Sequence, residues 1–224
     1  MMASNRNSTV TIGKKNLDDI LDTGGIPAGQ MGTLVSSPAS SAYHLILEMI
    51  SHKPDKKCYL TNTHNVDSVL SDMSIRYSDF STKPNVRSIH NMGVDEVIEL
   101  VGDMNTDDLS TIVIDTIERV DDQIDIQVFN TLKNIARESE LVVLLHNIES
   151  QVKNEFSFDM KDLIYSSDFV FTMMKRRGEQ SLRQQFTFHK TPNGSVINQN
   201  ITETPIVGIE YLDGTLSIDA GGRL

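Results

Sequence analysis

From Val10 onward, short apolar runs alternate with segments whose apolar residues recur every three or four positions. The runs at 31–36, 57–61, 86–89, 111–115, 141–146, 168–174 and 183–189 read as strands, because each is too short for a helix and rich in branched or aromatic residues. The segments 42–51, 67–74, 94–103 and 124–139 carry the spacing of amphipathic helices. Strand and helix in alternation predict an α/β fold, a mainly parallel sheet with helices on both faces. The run Thr111-Ile112-Val113-Ile114 has no polar alternation, so both its faces must be covered and it belongs inside the sheet. After Asp168 the rhythm becomes strand after strand, with Asn193-Gly194 and Asp213-Gly214 as turn signals, which predicts an antiparallel extension. Residues 1–9 are polar and without period and read as a loose tail, leaving 10–224 as a single domain without internal repeat or linker.

At 224 residues the chain is long enough to bury about 70% of the surface its unfolded form exposes. Its lone Cys58 offers no disulfide framework, no secretion signal opens it, and no run approaches about 18 apolar residues. A reduced, cytoplasmic setting without a membrane span is expected. The formal charge of −11 repels phosphate backbones, so nucleic acid is disfavoured as a partner. Six His residues without metal-ligand spacing argue against zinc.

The most specific signal precedes the first strong strand. Thr11-Ile12-Gly13, Leu17-Asp18, Ile20-Leu21, Gly24-Gly25-Ile26-Pro27 and Gly29 resemble the lead-in of the KaiC-like and RadA-like branch of the RecA superfamily. That family reads "T-G-I…L-D-x-L-L…G-G-I-P-x-G" directly before its phosphate-binding strand. The resemblance implies a three-layer RecA-like domain of the P-loop NTPase type, spanning most of residues 10–220, and with it ATP and Mg2+ as the ligands of an active member.

In that family the next residues form a loop like G-x-P-G-S-G-K-T, whose backbone N–H groups and lysine hold phosphates. The corresponding residues are Ser36, Ser37, Pro38, Ala39, Ser40, Ser41, Ala42 and Tyr43. Pro38 and Ser40 match. Ser36, Ala39 and Ser41 replace the glycines, Ala42 replaces the lysine, and Tyr43 replaces the hydroxyl residue that holds magnesium. Side chains at the glycine positions obstruct the turn and the approach of phosphate, and Ala42 removes the neutralising charge. A strand-to-helix turn serving packing, with its phosphate position vacant, is expected here.

After the run 57–61 the family carries glutamates that activate water, where this chain has Asn62-Thr63-His64-Asn65 and no carboxylate. His64 is expected to be a solvated loop residue. The 111–115 run ends in Asp115 and resembles a Walker B segment, read here as a relic or a structural hydrogen-bond acceptor rather than a metal ligand. His146-Asn147 stands where relatives place polar sensors. Of the Lys-x-Arg pair that reaches a neighbouring subunit's nucleotide, Lys190 remains and the Arg is lost. Lys175-Arg176-Arg177-Gly178 is expected in a hairpin turn and forms the one compact basic patch, while 101–125 holds eight acids against one base.

Loss concentrated at the site, with the frame kept, implies an inactive pseudo-ATPase without a bound cofactor. Such a chain would act as a regulator or scaffold on a protein partner, a paralogous active ATPase or a second copy of itself. The alternative is a divergent ATPase that binds ATP and Mg2+ through an unusual loop, borrowing Lys14, Lys15 or Lys190. A DNA-binding accessory would need a basic groove that the charge balance does not supply.

Overall fold

The computed structural model describes residues 9–12, 15–21, 24–38, 40–53, 56–76, 85–104, 108–116, 126–148, 160–175, 184–192, 206–212 and 215–220. The chain opens with a two-residue strand β1 (Thr9–Val10), a short helix α1 (Lys15–Ile20) and strand β2 (Ile26–Pro27). β2 pairs antiparallel with β1, so order begins at Thr9, one residue ahead of the expected start. The lead-in motif now has a physical reason. Asp18 accepts a hydrogen bond from the Ile12 N–H at 2.7 Å and another from the Thr11 hydroxyl, closing the segment on itself. Gly25 has φ 147°, and a Cβ there would lie 2.7 Å from the Val10 carbonyl oxygen. Only glycine fits that turn.

The main body follows as β3 (Met31–Ser36), α2 (Ala42–Ser51), β4 (Lys57–Thr61), α3 (Val66–Arg76), β5 (Asn85–Ser88), α4 (Val94–Asp103) and β6 (Thr111–Asp115). It continues with α5 (Ile126–Glu138), β7 (Val142–Ile148), α6 (Met160–Ser166), β8 (Phe169–Lys175), β9 (Gln184–Lys190), β10 (Ile206–Leu212) and β11 (Thr215–Ala220). Among the described residues one sheet holds nine strands in the order β11-β10-β9-β8-β3-β7-β6-β4-β5. Pairing is parallel from β8 to β5 and antiparallel from β8 to β11. The antiparallel part therefore starts one strand later than the rhythm after Asp168 implied, because β8 lies parallel against β3 before the chain turns back. Leu212 faces Thr215 across the last hairpin, on either side of the Asp213-Gly214 signal. Asn193-Gly194 lies outside the described residues.

Strand alternation divides the core in two. On one face Leu34, Tyr59, Val113, Leu144 and Phe171 pack under Leu45, Ile46, Val69 and Met73 of α2 and α3. On the other, Val35, Leu60, Ile114, Leu145 and Val170 pack under Val97, Val101, Phe129, Leu132 and Leu163 of α4, α5 and α6. β6 lies between β4 and β7 with all five residues buried, as its unbroken apolar run requires. The two helical layers meet the expectation of a three-layer domain.

Candidate functional site

The carboxyl ends of β3, β4, β6 and β7 converge on one edge of the sheet, and the polar residues singled out by sequence stand there. The loop after β3 uses its N–H groups internally. Ser37 N–H donates to the Met173 carbonyl at 3.1 Å, Ser40 N–H to the Ser37 carbonyl at 2.9 Å, and Ala42 N–H to Ser40 Oγ at 3.3 Å. Ser41 N–H donates to Gln184 Oε1 at 2.6 Å, while Gln184 Nε2 donates to Ser41 Oγ at 2.7 Å. Sequence reasoning led to N–H groups aimed outward toward a phosphate; in the fold each of these four has an acceptor inside the protein. Ala42 is buried in the core under α2, and Pro38 is exposed. Ala39 lies outside the described residues. Tyr43 turns toward α3, donating its hydroxyl to Asp72 Oδ2 at 2.9 Å and laying its ring over His64 with centroids 4.1 Å apart.

Ser36, His146 and Asp115 form a buried relay. His146 Nδ1 lies 2.7 Å from Asp115 Oδ1, and Nε2 lies 2.8 Å from Ser36 Oγ. An ionised carboxylate only accepts, so Nδ1 carries the donated proton and Nε2 of a neutral ring accepts from the serine hydroxyl. Asp115 also receives the Thr116 hydroxyl at 2.8 Å on Oδ1, and Tyr59 at 3.1 Å, Thr61 at 3.3 Å and Thr63 on Oδ2. Burial alone would push this carboxyl up. The hydrogen bond and charge of His146, with the Thr63 and Thr116 hydroxyls, outweigh it and hold Asp115 well below the usual carboxylate range. Burial and the adjacent carboxylate push the Tyr59 hydroxyl well above its ordinary value, so it stays a donor. The connectivity is that of a nucleophile, base and orienting acid. Yet Ser36 and Asp115 are each 1% exposed and His146 4%, so no substrate carbonyl reaches Ser36 Oγ.

A magnesium nucleotide asks for a free carboxylate, a small hydroxyl, a cation and open backbone donors. The donor set here does not fit it: both Asp115 oxygens are engaged, Tyr43 is turned to Asp72, position 42 is apolar, and the loop N–H groups are committed.

A protein-family model described as "Family of unknown function (DUF7125)" matches residues 9–204. The chain belongs to that family. No curated protein matches the sequence. Among solved structures, the KaiC-like protein PH0186 from the hyperthermophilic archaeon Pyrococcus horikoshii OT3 superimposes with a TM-score of 0.72 at 12% identity. That alignment covers 95% of this chain and 99% of the other. The ATPase domain of a helicase gives 0.68 at 13% identity, covering 96% of this chain and 92% of that domain. At these identities the likeness establishes a RecA-like fold of the KaiC-like kind, and function has to be argued from the site.

The remaining sequence candidates of this DUF7125 chain separate in space. His64 is half-buried beneath the Tyr43 ring rather than solvated, and burial lowers its pKa. Asn62 donates from Nδ2 to the Thr116 carbonyl at 3.1 Å, tying the β4 and β6 loops together. Asn147 is 2% exposed with neither side-chain polar atom bonded. Lys190 stands opposite Val170 at the start of β8, on the sheet edge away from the loop. Its ammonium donates to the Ile164 carbonyl at 3.0 Å and the Ser167 carbonyl at 2.6 Å, anchoring the end of α6. It does not supply the loop's missing charge. Lys15 lies exposed in α1; Lys14, Arg176, Arg177 and Gly178 fall outside the described residues. Gln184, Thr63, Thr116 and Tyr59 were not anticipated, since only strand register brings them to the edge.

Proposed function

We propose that this chain is a RecA-fold protein that does not hydrolyse ATP and acts as a regulator or scaffold through protein contacts, with an active paralogue or a second copy of itself. One observation carries the reading. The polar groups at the sheet's carboxyl edge are bonded to one another, with Asp115 alone accepting from five side chains. Phosphoryl transfer rests on positioning and on charge neutralisation at the γ-phosphate. Ala42, Tyr43 and the Asn62–His64 segment replace three suppliers of that help, and losing even one such donor costs about 2.7–4 kcal/mol of transition-state stabilisation. A contact role is supported by Ile126 of α5 and Tyr165 of α6, exposed on helices that pack together.

Purified protein should show no magnesium-dependent ATP turnover above background, unchanged in Asp115→Ala. Turnover in the parent that disappears in Asp115→Ala would make Asp115 a working metal ligand and establish the divergent-ATPase reading instead. Micromolar ATP binding by calorimetry would count against the proposal equally.

A further inference from the structure

The amino end of α2 is held by a side chain 143 residues away in sequence. Gln184 opens β9, and its carboxamide lies against Ser41 through two hydrogen bonds, Oε1 accepting the backbone N–H at 2.6 Å and Nε2 donating to Oγ at 2.7 Å. Both residues are buried, and Ser41 makes no cap with its own side chain. Fixing a glutamine costs rotamer freedom, so its two polar ends must be satisfied where they rest. A carboxamide oxygen carries partial negative charge, the sign that the first N–H groups of a helix attract. The neighbouring N–H groups of Ser37, Ser40 and Ala42 are committed to other acceptors.

We propose that Gln184 is a built-in ligand of the α2 amino terminus: its carboxamide oxygen fills the position an anion would take, closing the loop to phosphates and tying α2 to the β8–β9 hairpin. The proposal rests on the reading of the loop as one that takes no nucleotide phosphate. It assigns a function to a residue outside the degenerate motif itself. Restoring the motif alone, for instance by Ala42→Lys, would leave the anion position filled.

The test is an amide-resolved NMR titration with inorganic pyrophosphate on the full chain. In the wild type the Ser41 amide should stay unmoved. In Gln184→Ala it should shift and saturate at millimolar pyrophosphate, because the helix end is now open. A wild-type Ser41 amide that moves as far as in Gln184→Ala, or a folded Gln184→Ala that does not respond, overturns the proposal. Gln184→Glu decides independently if the alanine variant does not fold. The helix end should hold its carboxyl below the unfolded value, so the added stability is present at pH 7 and lost as pH falls through the acid range. The melting temperature of Gln184→Glu should therefore rise between pH 4 and pH 7 by several degrees more than that of the wild type. An equal rise overturns the assignment. Wild-type ATP turnover with an unmoved Ser41 amide would sink the proposed function and leave Gln184's role standing.

Discussion

Gly32 sits in the middle of the best-paired strand, where glycine costs conformational entropy, and its reason is a neighbour. A Cβ at this position would lie 2.0 Å from the Phe169 ring, which packs directly over the backbone of β3. Gly32→Ala should destabilise the fold by about 2–3 kcal/mol in denaturant unfolding, the range for overpacking a core that cannot yield. Phe169→Ala alone should cost about 3–5 kcal/mol through the cavity it leaves. In the double variant the new methyl no longer meets the ring, so the combined loss should fall short of the sum by at least about 1 kcal/mol. Additive losses would show that the ring is not what forbids a side chain. Residues of this kind bound what the sequence can reveal. The substitutions at 36, 41, 42 and 43 were legible because a motif fixes what each position should hold. The partners that now occupy the site were not, because Gln184 and Ser41 meet only through folding.

At the scale of elements, periodicity located the strands and helices of the main body, with α2 and α4 placed to the residue. It passed over α1, α6, β1 and β2, since six or seven residues hold too little period for a helix and two-residue strands hold none. It also placed the change to antiparallel pairing too early, because an apolar run has the same appearance whichever way its neighbour points. What sequence could not supply is how the four central strands are joined at their polar ends. Ser36 of β3, His146 of β7, Asp115 of β6 and Tyr59 with Thr61 of β4 form one hydrogen-bonded row across the sheet. Asp115→Ala would leave several buried donors without an acceptor, each carrying its desolvation cost. A loss of about 3–5 kcal/mol is expected, comparable to breaking a buried charge pair. Urea unfolding measures it directly. A loss under about 1 kcal/mol would mean that the row fills space without holding the strands.

For the whole molecule, the buried titratable groups set a stability profile whose limbs have different owners. Asp115 is held below its unfolded value, so its contribution is present above the ordinary carboxylate range and is lost as pH falls below about 4 toward the folded value. Lys57 works with the opposite sign. Its ammonium is buried at the start of β4, donating to the Met49 carbonyl near the end of α2, and burial pulls its pKa down to about 8 despite the opposing pull of Asp18. Between about 8 and the unfolded value of 10.5 the folded chain holds fewer protons than the unfolded one, so stability rises with pH there. Cys58, beside it in sequence, opposes this from its ordinary value of 9.0 upward, because burial pushes its thiol up to about 12 and only the unfolded chain ionises. The window for Lys57 therefore lies between about pH 7.5 and 9. Over it the wild type should gain about 1 kcal/mol, at about 1.36 kcal/mol per unit of differential protonation. Lys57→Met removes the rising limb and leaves the falling contribution of Cys58, so the slope of stability against pH should change sign in that variant. Guanidinium unfolding of both proteins at pH 7.5, 8.25 and 9 reads the two slopes. Parallel profiles would show that Lys57 keeps its charge in the folded protein, with water reaching an ammonium that the packing of α2 over β4 is expected to keep dry.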